Sequence, residues 1–92
     1  MDITFSIDLV RGEETCSGVL ATKVIKLDFI PFIGMDIEHE LIDGYLPVIS
    51  VTARIGDDES FYVKLDKYSI REELFDKKVN QFKYDGWDVS GA

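Results

Sequence analysis

His39 stands between Glu38 and Glu40, three side chains that together could hold a metal ion or relay a proton. The alternation around them argues against both. From 35 to 42 every second residue through the middle of the segment is acidic, and period-2 patterning marks a half-buried β-strand. Neighbouring strand residues point to opposite faces, so His39 falls on the apolar side with Ile37 and Leu41 while the acids take the other. A packed structural histidine is expected there. Cys16 is the single cysteine; alone it makes neither an internal disulfide nor a thiolate metal site, and no histidine lies near it in sequence to activate it. Asp57-Asp58-Glu59 occupies a polar turn without the spacing of an EF-hand loop, where acids serve local hydrogen bonding. No Gly-rich phosphate loop, nucleophile elbow, HExxH or paired CxxC occurs. The residues imply no cofactor, no metal and no catalytic set, and a non-enzymatic protein is the expectation.

Two patterns remain. Asp36, Glu38 and Glu40 share one strand face at a spacing of about 7 Å, a row that could meet a basic partner or imitate nucleic-acid phosphates. Beside it, 29–35 (Phe-Ile-Pro-Phe-Ile-Gly-Met) carries no polar side chain. With Pro31 and Gly34 inside it, this run reads as a hairpin tip. Large exposed apolar patches mark interfaces, so Phe29, Ile30, Phe32, Ile33 and Met35 are the candidate interface and Asp36, Glu38 and Glu40 a secondary acidic face.

Five strands are expected to position these residues: 2–10, 19–30, 35–42, 46–55 and one beginning at Phe61. Keeping apolar residues on one side sets Phe29 opposite Met35, Leu27 opposite Ile37 and Ile25 opposite His39. It further sets His39 against Ile49, Ile37 against Val51 and Ala53 against Val63, with a three-residue loop at 43–45. That register brings Asp28 face to face with Asp36, and Lys26 across from Glu38 with Arg54 and Lys64 nearby. Ser69 and Glu72 have the spacing of a capping box, and acids precede bases in the residues that follow. A helix over 69–78 is therefore expected on the apolar face, with Ile70 and Leu74 inward, followed by a turn or small hairpin at 84–87. The resulting fold class is α+β: an antiparallel meander of about five strands, one short helix packed on one face, and an aromatic C-terminal segment.

Residues 1–92 suit a single domain, with 46% hydrophobic residues and a formal charge of −8. That charge disfavours direct binding to nucleic acid or to an anionic membrane surface. From Asp28 to Glu59 there are eight acids and one base, whereas from Phe61 to Lys83 there are six bases and four acids. No run is long enough to span a bilayer, and Met1-Asp2 leads straight into a strand pattern without a targeting signal, so a cytoplasmic protein is expected. In size and charge the chain resembles small acidic immunity proteins, anti-restriction or anti-CRISPR inhibitors and orphan products of mobile elements; no motif extends the resemblance. The expected function is non-catalytic binding, as a homodimer or with a basic protein, through the apolar tip. The competing class is a small-molecule binder or enzyme with a pocket between sheet and helix lined by His39, Tyr68 and Trp87.

Overall fold

A computed structural model describes residues 1–13, 18–56 and 59–91; Cys16, Asp57 and Asp58 lie outside the described residues. The elements follow in the order β1 (Asp2–Arg11), β2 (Val19–Lys26), β3 (Asp36–Glu38), β4 (Tyr45–Arg54), β5 (Ser60–Leu65), β6 (Tyr68–Ile70), a 3-10 turn (Glu72–Leu74), α1 (Phe75–Tyr84) and β7 (Asp88–Ser90). Among the described residues seven strands form one mixed, open sheet in the order β3-β4-β5-β1-β2-β7, with β6 also pairing β1. The α+β class is as expected. The simple antiparallel meander is not, because β1 lies in the middle, antiparallel to β2 and parallel to β5 and β6.

The alternation of β1 is what earns it that place. Ile3, Phe5, Ile7 and Leu9 are all buried, and Thr4, Ser6 and Asp8 between them are half-buried on the other face. An apolar row looks the same in sequence whether its strand is central or at an edge, so pairing order could not be read from it.

Expected pairings between 19–30 and 35–42 do not form. Ile25 pairs with Ile3, Lys26 with Asp2, and the ladder continues to Leu27, whose N–H donates to the Met1 carbonyl at 3.0 Å. The chain then bends at Asp28 and Phe29 and travels to the opposite edge of the sheet, so Asp28 does not face Asp36. There β3 does pair with β4, but as Asp36↔Pro47, Ile37↔Leu46 and Glu38↔Tyr45 rather than Ile37 with Val51. A bulge between Val48 and Ser50 turns the strand over, so Leu46 and Val48 are buried while Ile49 is exposed. Beyond it Val51 pairs with Val63 and Ala53 with Phe61, two residues from the expected register but on the expected face.

Strand β3 ends at Glu38 and not at Ile42. The Ile42 N–H donates to the His39 carbonyl at 2.9 Å, and that turn carries Ile42 into the core.

The helix begins later than 69. Ser69 is an exposed residue of β6, and Ile70 is buried with its carbonyl accepting the Gly12 N–H at 2.7 Å. Sheet pairing thus displaces the capping box, and Arg71 serves as N-cap without a side-chain bond. The buried stripe of α1 is Phe75, Val79 and Phe82, spaced i, i+4, i+7 as an amphipathic helix requires; Leu74 is 44% exposed. At the other end Gly86, with φ +95°, sits in the left-handed conformation of a Schellman cap. Its N–H donates to the Lys83 carbonyl and the Trp87 N–H to that of Phe82. Trp87 then packs edge-on to Phe82 at 5.4 Å, and the turn at 84–87 leads into β7 on the β2 edge rather than into a separate hairpin. Among the described residues no helix is long and apolar enough to cross a membrane.

Urea denaturation should separate the two versions of the helix. Phe82→Ala is expected to cost about 3–5 kcal/mol, as for a buried aromatic, and Leu74→Ala no more than about 0.5 kcal/mol. Equal losses would restore the 69–78 helix face.

Candidate functional site

The apolar run 29–35 is a loop on the path from β2 to β3, held at both ends. Pro31 is fully buried. At 32–35 the Met35 N–H donates to the Phe32 carbonyl at 3.0 Å, closing a turn whose third residue, Gly34, has φ +92° as a type II turn demands. Gly34 and Met35 are then stitched to β4: the Gly34 N–H donates to the Val48 carbonyl and the Val48 N–H to the Met35 carbonyl, both at 2.8 Å. Within this anchored frame Phe29 and Ile30 are exposed, Phe32 is 61% and Ile33 66% exposed, and Met35 is half-buried against the core. The loop is not the tip of a β2–β3 hairpin, since those strands lie at opposite sides of the sheet.

Register places further side chains beside it. Directly opposed residues of an antiparallel pair share a face. Ile37 and Leu46 face the core, and Asp36, Glu38, Tyr45 and Pro47 form the outer face. Tyr45 and Ile49 are exposed there, about 13 Å apart along the strand, and the 32–35 turn abuts β4 at Val48. Two sets of exposed apolar side chains result: Tyr45 and Ile49 on the outer face, bordered on β3 by Asp36 and Glu38, and Phe32 and Ile33 on the turn that leads into Asp36. Glu40 departs from the row: it lies past the end of β3 and borders a hollow shared with Lys77, Asn80 and Tyr84.

Nor do the expected bases neutralise the acids. Lys26 pairs with Asp2 in the β1–β2 ladder, Arg54 is opposite Ser60, and Lys64 reaches Asp8 at 3.6 Å. Among the described residues, the ion pairs involve Arg11, Lys23, His39, Lys64 and Arg71 with Asp8, Glu72, Glu73, Asp76 and Asp85. None reaches Asp28, Asp36, Glu38, Glu40 or Asp43.

His39 occupies a different environment, around Asp85. Its Nδ1 accepts the Leu41 N–H at 3.1 Å, which in the neutral ring leaves the hydrogen on Nε2, 3.5 Å from Asp85 Oδ2. The same oxygen accepts Trp87 Nε1–H and a proton of Lys23 Nζ, each at 3.3 Å. Lys23 Nζ also donates to the Asp85 carbonyl at 2.8 Å, a cation at a helix C-terminus where the dipole favours it. His39 is edge-on to Trp87 at 5.5 Å. His39 and Trp87 border an apolar cleft of about 200 Å³ lined also by Phe5, Ile7, Ile25, Leu27 and Phe29 among others. Tyr68 does not join them: its hydroxyl accepts the Asp43 N–H at 3.3 Å, and it lines a separate hollow beside α1.

Sequence reasoning missed Lys23 and Asp85. The available signal was Lys23 itself, a lysine in the core-facing row Val19, Ala21, Lys23, Ile25 of β2, where a half-buried ammonium favours a nearby acceptor. Asp85 read only as a turn residue.

No family model matches the chain, and comparison with curated proteins and with solved structures likewise finds no match.

The Asp85 cluster is open to a double-mutant cycle. Asp85→Ala leaves Lys23 Nζ and Trp87 Nε1 short of an acceptor and is expected to cost about 1–3 kcal/mol. Adding Lys23→Met should recover part of that, with a coupling on the order of 1 kcal/mol between the sites. Strict additivity in urea titrations would mean that the pair does not interact.

Proposed function

We propose that this is a non-catalytic binding protein whose contact surface is built around Phe32 and Ile33 on the 29–35 loop, with Tyr45 and Ile49 of β4, Phe29 lining instead the cleft beside His39. One observation carries this reading: bulky apolar side chains are held out to solvent on a loop tied by hydrogen bonds to a core strand. A flexible loop would lose conformational freedom on docking, whereas an anchored one has given up most of it in folding. Burying one Phe or Ile stabilises a complex by about 1.5–3 kcal/mol. Several together offset an association cost of about 4–15 kcal/mol.

Selection of displayed random peptides against the full chain, followed by counter-screening on Phe32→Asp and Ile33→Asp, tests this. Both variants should keep their thermal midpoint within a few degrees, as surface substitutions do, and lose the selected peptides. Peptides that bind wild type and both variants equally would place the binding surface elsewhere.

A second function is favoured by the cleft beside His39 and Trp87: uptake of a small apolar molecule. At about 200 Å³ the cleft is smaller than the roughly 300–1,000 Å³ usual for drug-sized ligands, so a single-ring compound is the largest occupant that suits it. Cyclohexanol should then change Trp87 emission in a saturable way, and Leu27→Phe, which fills the cleft, should abolish the change. A linear, unsaturable response would leave the outer face as the sole candidate.

A further inference from the structure

The outer face has a sign as well as a polarity. Between Lys26 and Arg54 the chain contains no lysine or arginine, and it carries Asp28, Asp36, Glu38, Glu40 and Asp43. All five are exposed, and none is in an ion pair among the described residues. Asp36 and Glu38 lie on the same face as Tyr45 and next to the turn that presents Phe32 and Ile33. Meanwhile Arg11, Lys23 and Arg71 are engaged with acids on other parts of the molecule, and Lys64, opposite Ser50 on β5, is paired with Asp8.

Resting on the binding face assigned above, we infer that its partner is a basic protein segment with apolar anchors: Lys or Arg side chains meet Asp36 and Glu38 while bulky apolar side chains cover Phe32, Ile33, Tyr45 and Ile49. Complementary potential across an interface selects partners and speeds encounter. A second copy of this chain is the poorer occupant. A two-fold contact through this face would concentrate the Asp36 and Glu38 carboxylates of both copies in one interface, and unpaired like charge there disfavours association.

The test titrates the labelled full chain by NMR with three short synthetic peptides: alternating Lys and Leu, alternating Glu and Leu, and alternating Lys and Ser. The Lys/Leu peptide should shift amides at 29–38 and 45–49 and bind more weakly as salt shortens the screening length from about 10 Å at 0.1 M toward 3 Å at 1 M. Asp36→Asn with Glu38→Gln should weaken it severalfold and remove most of the salt dependence. Phe32→Asp is the sharpest variant, because it adds negative charge. Docking through the face predicts a loss of roughly 30-fold or more, as for an interface hot spot, whereas mere attraction of a polycation to an acidic protein predicts a gain. Ile33→Asp repeats the comparison independently.

Binding of the Glu/Leu peptide to the same amides with equal strength would overturn the basic partner while leaving the apolar face as a docking surface. Equal binding of the Lys/Ser peptide, tighter binding by Phe32→Asp, or shifts confined to other residues would overturn both. Dimerisation of wild type through residues 29–38 and 45–49, strengthened by salt, would overturn the basic partner in favour of a second copy.

Discussion

Strand β1 is hydrogen-bonded on both sides, antiparallel to β2 and parallel to β5 and β6, and Ile3, Ile7 and Leu9 along it are wholly shielded from solvent. Most of the architecture follows from that position. Parallel neighbours cannot be joined by a tight turn and require a long crossover. The chain leaving β2 on one side of β1 must reach the far edge of the sheet before it can return through β4 to β5. The segment between Leu27 and β4 makes that journey. It sends Pro31 and Ile42 into the core and Ile37 against it, and it leaves Phe29, Ile30, Phe32 and Ile33 outside. The exposed apolar surface is therefore a product of the crossover, displayed by the same residues that route the chain.

A second constraint operates at the other end. Lys23 lies half-buried on the core side of β2, where the part of its solvation lost on folding is made up by acceptors. The Schellman turn at Gly86 provides them by directing the Asp85 carbonyl and carboxylate at Lys23 Nζ. The carboxylate also receives Trp87 Nε1–H and stands beside His39 Nε2. Helix cap, strand lysine and crossover histidine are joined at one side chain, and the C-terminal strand is delivered to the β2 edge.

Local patterns were legible in the sequence and long-range partnerships were not. Period-2 alternation located β1, β4 and β5 to within one or two residues, and the apolar character of 29–35 was evident from its letters. Alternation in 35–42 overstated β3, because the turn that buries Ile42 interrupts the strand after Glu38. The bulge at Val48 and Ser50 was invisible, since Ile49 and Val51 form as good an alternating row as Leu46 and Val48. Ser69 and Glu72 satisfied a capping box on paper, yet Ile70 gains more from the sheet core than Ser69 would from an amide bond. The stripe Phe75, Val79, Phe82 was in plain view, but a helix begun at 69 put it on the wrong side. As to the site, the individual side chains could be named. Their company could not: Tyr45 and Ile49 join the loop through the β3–β4 register, and Lys23 meets Asp85 only once α1 is laid down.

The parallel seam also governs how this molecule can assemble. The β1–β2 and β4–β5 pairs are each local in sequence, whereas Phe5↔Val63 joins positions more than half the chain apart. Loop-closure entropy must be met before such a contact returns anything. Two hairpins that form early and a slower docking of one against the other is the kinetic order this topology favours, with the crossover as the tether between them. Its apolar loop contributes only Pro31 to the fully buried interior, so most of its letters can change with little effect on the rate of docking. Folding speed and surface chemistry are thereby assigned to different residues of one segment, and selection can alter the exposed side chains without slowing the route to the native sheet.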